Sequence, residues 1–192
     1  MSRTASAVLV IDMQNTLVRM AHRAAETVAA IAGLCERARA AGVPVVTVRQ
    51  GDAELVPGTE GWRVVHELAP REGEAVVDKT APDSFLGTGL GPTLEALGVT
   101  ELIVTGFATE ICVDTTARQA LSRGYDLVVV ADGHTTSRRG EQDTDLVPAD
   151  RSIAQYNAIY RTIGWPGRRV RVRAAADVDF TAPEGAGRLT PA

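Results

Sequence analysis

Short runs of branched apolar residues recur along this chain, separated by longer stretches in which apolar positions return every third or fourth residue. A continuous apolar run suits a strand covered on both faces, and the wider spacing suits a helix with one face turned inward. The runs predict strands at Ala7–Ile11, Pro44–Val48, Ala75–Val77, Glu101–Thr105 and Asp126–Val130, with a sixth candidate at Arg169–Val172. Between the first two, His22 to Ala41 carries Val28, Ile31, Ala32, Leu34 and Cys35 on one stripe and then meets Gly42. Leu90–Leu97 before Gly98, Val113–Arg123 before Gly124 and Ile153–Ile163 before Gly164 read as further helices, each stopped by its glycine. Alternation of strand and helix predicts a three-layer α/β/α domain around a mostly parallel, Rossmann-like sheet of about six strands.

At 192 residues one domain is expected, over residues 1–180, with Thr181–Ala192 a mobile tail rich in Pro, Gly and Ala. A net charge of −4 without a Lys/Arg run offers no footprint for nucleic acid or an anionic membrane, which points to a small-molecule partner. Two cysteines, Cys35 and Cys112, form neither a disulfide framework nor a zinc motif and fit a reducing cytoplasm. The first apolar run meets Asp12 too soon to be a signal peptide or membrane span. Arg49–Gly61 and Thr80–Gly91 are loops that follow strands, where parallel sheets bind ligands.

Candidate chemistry gathers on the same edge. Cys112 follows the fourth strand after Gly106-Phe107-Ala108-Thr109-Glu110-Ile111 and precedes a helix, a place whose free N–H groups and macrodipole favour a thiolate. Asp12 follows the first strand and Lys79 the third. With strands one, three and four as neighbours, carboxylate, amine and thiol would converge as a nucleophile with its own acid/base. Each has a plainer reading as well: Asp12 as a helix N-cap, Lys79 as a solvated strand end, Cys112 as a packed thiol. Cys35, on the helical stripe, is read as core.

Val10-Ile11-Asp12-Met13-Gln14-Asn15, Val77-Asp78-Lys79 with Asp83-Ser84-Phe85, and Gly106-Phe107-Ala108-Thr109-Glu110-Ile111-Cys112-Val113 together resemble the signature segments of the isochorismatase-like cysteine hydrolase superfamily. Ala131-Asp132-Gly133-His134-Thr135-Thr136 and Asn157 resemble its later pattern, so the likeness runs over residues 7–178. The resemblance implies that Asp12 is the acid/base, Lys79 its cationic partner and Cys112 the nucleophile. It also implies an oxyanion hole from the N–H groups of Ala108 and Cys112, presented by a cis peptide between Phe107 and Ala108. It implies no cofactor, and a homodimer or homotetramer with Trp62 or the C-terminal segment near an interface.

Departures from the family's subgroups narrow the expected reaction. Nicotinamidase-type members carry an Asp-x-His after the second strand to bind metal, whereas this chain has Arg49-Gln50-Gly51-Asp52-Ala53-Glu54, so no metal is expected. Members that cleave a vinyl ether generally lack the cysteine, so Cys112 points to the amidohydrolase branch acting on a small amide, carbamoyl compound or cyclic amide. The alternatives are a redox-reactive thiol protein without hydrolysis and a vinyl-ether hydrolase. Trp62, Phe85 and Phe107 are candidate pocket walls, an aromatic at a loop being as often core. Gln14 is read as bracing the Asp12 turn, Glu110 as structuring its loop and His134 as structural.

Overall fold

A computed structural model describes residues 5–140, 142–143 and 145–180, so the tail expected at Thr181–Ala192 lies outside the described residues. The elements run β1 (Ser6–Ile11), α1 (Asn15–Met20), α2 (Ala24–Ala40), β2 (Val45–Gln50), β3 (Ala75–Lys79), α3 (Leu90–Ala96), β4 (Glu101–Phe107), α4 (Asp114–Ser122), β5 (Asp126–Thr135), α5 (Ala149–Thr162) and β6 (Val170–Arg173). The six strands form one sheet in the order β3-β2-β1-β4-β5-β6, every pair parallel.

Strand side chains alternate between two cores. One face presents Leu9, Ile11, Val46, Val48, Leu102, Val104, Leu127 and Val129 to Leu90 and Leu94 of α3, Ala117, Ala120 and Leu121 of α4, and Tyr160 of α5. The other presents Val8, Val10, Val45, Ile103, Val128 and Val130 to Val28, Ile31, Leu34, Cys35 and Ala38 of α2. Burial on both faces is why these strands read as unbroken apolar runs. Cys35 is core, as its stripe indicated.

Three of the expected glycine stops work as such: Gly42, Gly98 and Gly124 take φ of +70°, +65° and +96°. Gly164 does not, because α5 ends in extended backbone at Ile163. That helix also begins earlier than expected, at Ala149 after Pro148, whose carbonyl accepts the Ser152 N–H at 2.8 Å. Its polar first turn hides the start from a search for apolar periodicity. The six-residue α1 was not foreseen at all.

Strand adjacency needs correcting. β1 and β4 are neighbours, but β2 separates β3 from β1. A chain that visits β1, β2 and β3 in turn builds outward from the centre, and only the return to β4 crosses to the other side of β1, making that place the switch point of the sheet. Lys79 therefore acts from two strands away, which its long stem allows.

Candidate active site

At the end of β1 the chain turns sharply, and Asp12 takes a left-handed φ of +54° while donating its N–H to Val48 O at 2.9 Å. Close approach of β4 fixes this corner from the side. Gly106 has φ +129°, and a Cβ there would lie 2.1 Å from Ile11 O, so only glycine lets the strands meet. Gly106 is thus part of β4 and not of a turn after it, and the register with β5 shifts between Val104 and Gly106. The Phe107–Ala108 peptide is cis, as the resemblance implied. A π turn then spans Thr109–Val113, with the Ala108 carbonyl accepting from Ile111 N–H at 3.0 Å and Val113 N–H at 3.1 Å. Cys112 lies in that turn, directly before α4.

The three ionisable groups meet. Lys79 Nζ lies 2.7 Å from Asp12 Oδ2, with both side chains buried, and 3.4 Å from Cys112 Sγ. Asp12 Oδ1 is buried, and the Cys112 thiol lies close enough to act on the Asp12 carboxylate. Burial pushes the Asp12 carboxyl above its usual range against the pull of Lys79. Burial, with the Asp12 charge beside it, pushes the Cys112 thiol up to about 12. The thiolate expected at the helix start meets an opposing pull: burial and the adjacent Asp12 charge both favour the protonated thiol.

Residues around this trio hold it in shape. Gln14, fully buried, donates to Gln50 O at 2.9 Å and Trp62 O at 2.8 Å and accepts the Gln50 N–H at 2.9 Å, which is the bracing expected of it. Glu110 accepts from Thr136 Oγ1 at 2.7 Å and Ser152 Oγ at 3.3 Å and pairs with Arg139, tying the turn to the segment after β5 and to α5. His134, on β5 and buried, shares a hydrogen bond with Thr109 Oγ1 at 2.9 Å through Nδ1 and with Asn157 Oδ1 at 3.1 Å through Nε2. Burial holds its pKa below the ordinary 6.5, so it stays neutral. Ser84 binds Thr116 of α4 through its N–H at 3.1 Å and its hydroxyl at 2.8 Å, while Asp83 accepts the Phe85 N–H at 2.8 Å. The Asp83-Ser84-Phe85 segment therefore fastens the loop after Lys79 to the helix that follows Cys112.

The aromatic candidates fall in different places. Trp62 stands beside the end of β2, its ring under the Arg49 guanidinium at 3.9 Å. Phe107 is buried in the α2-side core beside Ala108. Phe85 is core, its ring stacked on Tyr125 just before β5 with centroids 6.0 Å apart. The sequence reading missed Gln50, whose Oε1 accepts from Lys79 Nζ at 2.7 Å. A glutamine at a strand end carries no signature of its own, and position after an apolar run was the only signal for it.

A hollow of about 430 Å³ lined by Gly42, Pro44, Gly73, Thr93 and Leu97 lies at the amino-terminal edge of the sheet, away from the trio. Among the described residues, no three His, Cys, Asp or Glu side chains group as metal ligands, and no helix is long and apolar enough to cross a membrane.

A parallel α/β sheet with a thiol, a carboxylate and an ammonium at its switch point defines a thiol-bearing α/β protein. Residues 6–158 match the Isochorismatase domain, and the chain belongs to that family. It is 39% identical over 188 residues to streptothricin hydrolase of Streptomyces noursei, covering 92% of this chain and only 65% of that relative's length. A solved isochorismatase from Pseudomonas putida KT2440 superposes with a TM-score of 0.80 at 28% identity over 92% of this chain and 91% of the other. N-carbamoylsarcosine amidase from Thermoplasma acidophilum gives 0.71 at 28% identity over 91% and 98%.

Proposed function

We propose that this protein is a cysteine-dependent hydrolase that cleaves a C–N bond of a small amide, carbamoyl compound or cyclic amide through a thioester. The observation that carries this reading is the Lys79 ammonium 2.7 Å from Asp12 and 3.4 Å from Cys112, with the Asp12 carboxylate itself beside the thiol. A carboxylate raised by burial is a competent base, and a thiol beside it is a nucleophile once its proton is taken. The names of relatives support the same class, one being a hydrolase and one an amidase.

Asp12 takes the thiol proton, and the sulfur attacks the carbonyl carbon to form a C–S bond as the C=O electrons move to oxygen. The N–H groups of Ala108 and Cys112 receive that oxyanion. As the C–N bond breaks, Asp12 returns its proton to the leaving nitrogen. It then removes a proton from the water that hydrolyses the thioester, and the thiol is restored. Lys79 steadies whichever neighbour, carboxylate or thiolate, bears the negative charge.

The test is product release from a panel of primary amides, carbamoyl amino acids, ureas and lactams, with mass spectrometry of the intact protein. Turnover by the wild type and its loss by at least 10³-fold in a folded Cys112→Ala variant are expected, roughly the scale of removing a nucleophile. Turnover of equal rate in that variant would refute the nucleophile assignment.

A further inference from the structure

Lys79 has three N–H donors and three neighbours: Asp12 Oδ2 at 2.7 Å, Cys112 Sγ at 3.4 Å and Gln50 Oε1 at 2.7 Å. The third is the unexplained one, because neither the acid/base nor the nucleophile role requires it. Gln50 is itself held. Its Nε2 donates to Asp52 Oδ2 at 3.3 Å, while Asp52 Oδ1 accepts the N–H groups of Glu54 at 2.9 Å and Leu55 at 2.8 Å. Its backbone is clamped on both sides by the Gln14 amide.

These partners leave the Gln50 amide one orientation. An ammonium only donates and an ionised carboxylate only accepts, so the amide oxygen must face Lys79 and the amide nitrogen must face Asp52. Backbone N–H groups hold the Asp52 pKa below its usual value, which keeps it an acceptor. The order runs from Asp52 through Gln50 to Lys79.

We propose that Gln50, oriented by Asp52, is the positioning residue that aims the Lys79 ammonium at the Cys112 sulfur. Gln50 and Asp12 occupy two of the three donors, so the staggered geometry of the ammonium directs the third toward sulfur. A neutral amide does this without adding a charge that would compete with the thiolate for Lys79. Asp12 and Lys79 are the charged groups that face the thiol. A glutamate at position 50 would keep the shape and the acceptor but add a negative charge to the same ammonium.

The inference rests on Cys112 as the nucleophile, and the test reads the thiol without requiring turnover. Rates of iodoacetamide alkylation of Cys112 at fixed pH, followed by peptide mass spectrometry, are compared for the wild type, Gln50→Glu and Gln50→Leu, with circular dichroism as the check of folding. Gln50→Glu is expected to alkylate about tenfold more slowly, the effect of raising the thiol by roughly one pH unit. Gln50→Leu, which frees the ammonium to drift, is expected to slow severalfold and to lower kcat more than it changes KM. Asp52→Ala tests the same relay without altering any residue hydrogen-bonded to Lys79, and a smaller slowing in the same direction is expected. Wild-type alkylation rates in both folded Gln50 variants would overturn the relay while leaving the nucleophile assignment intact. Cys112 that never alkylates in the wild type would overturn both.

Discussion

The Asp12–Lys79 pair is where single side chains decide most. Both are buried, so removing one partner leaves a charge without compensation. Lys79→Met should destabilise the fold by about 3–5 kcal/mol, the usual cost of breaking a buried pair. Asp12→Asn combined with Lys79→Met should regain much of that loss while remaining inactive, because the charge that lacked a partner is gone as well. Chemical denaturation of the two singles and the double checks this, and additive losses would mean that the pair is not coupled. The base also sets the pH response. Asp12 must be ionised to accept the thiol proton, and burial raises its pKa, so kcat/KM should climb as pH rises through a value above the ordinary 3.8. A rate that stays flat through the acid range in a pH–rate profile would remove Asp12 from the base role.

Between the residue and the molecule stand the elements that carry these side chains, and here the hydrophobic pattern was a partial guide. Asp12, Lys79 and Cys112 were legible because each is a reactive residue that follows an apolar run at the same edge of the sheet. Gln50 and the length of β5 were not. The Ala131-Asp132-Gly133-His134-Thr135 end of β5 breaks the apolar run with polar residues, yet His134 and Thr135 pair with Gly106 and Phe107 of β4. Tertiary partners, not periodicity, make that stretch a strand: His134 finds Thr109 and Asn157, and Asn157 Nδ2 donates to Ala131 O at 3.0 Å. His134 is neutral in the fold and titrates at about 6.5 when unfolded, its native pKa being lowered. The unfolded state therefore binds the proton first, and the stabilising contribution present above 6.5 is lost as pH falls toward the native value. Denaturant midpoints from pH 8 down to about pH 5 should fall less steeply in His134→Gln than in the wild type, even though that variant is weaker at pH 8. Gly106 is the other element-scale constraint: Gly106→Ala must displace Ile11 O or lose the β1–β4 register, at about 3 kcal/mol or more, measurable by thermal melting.

Across the whole molecule, the two free thiols occupy opposite sides of one sheet. Cys112 packs against the core covered by α3, α4 and α5, and Cys35 is buried in the core covered by α2. Both cores are built from alternate residues of the same strands, so neither layer can come away without uncovering the strands that the other needs. The trio itself requires β1, β3 and the β4–α4 junction in register at once, with β2 between the first two. Site and fold should consequently be lost together. In a urea titration read by a thiol reagent, Cys35, whose thiol burial pushes up to about 11, should be silent in the native state and become reactive at the midpoint given by circular dichroism. Cys112, partly exposed, should react slowly in the native protein and lose its dependence on Asp12 and Lys79 at that same midpoint. Reaction of Cys35 well before the common transition would mean that the α2 layer opens alone. The site would then survive on a sheet covered on one face only.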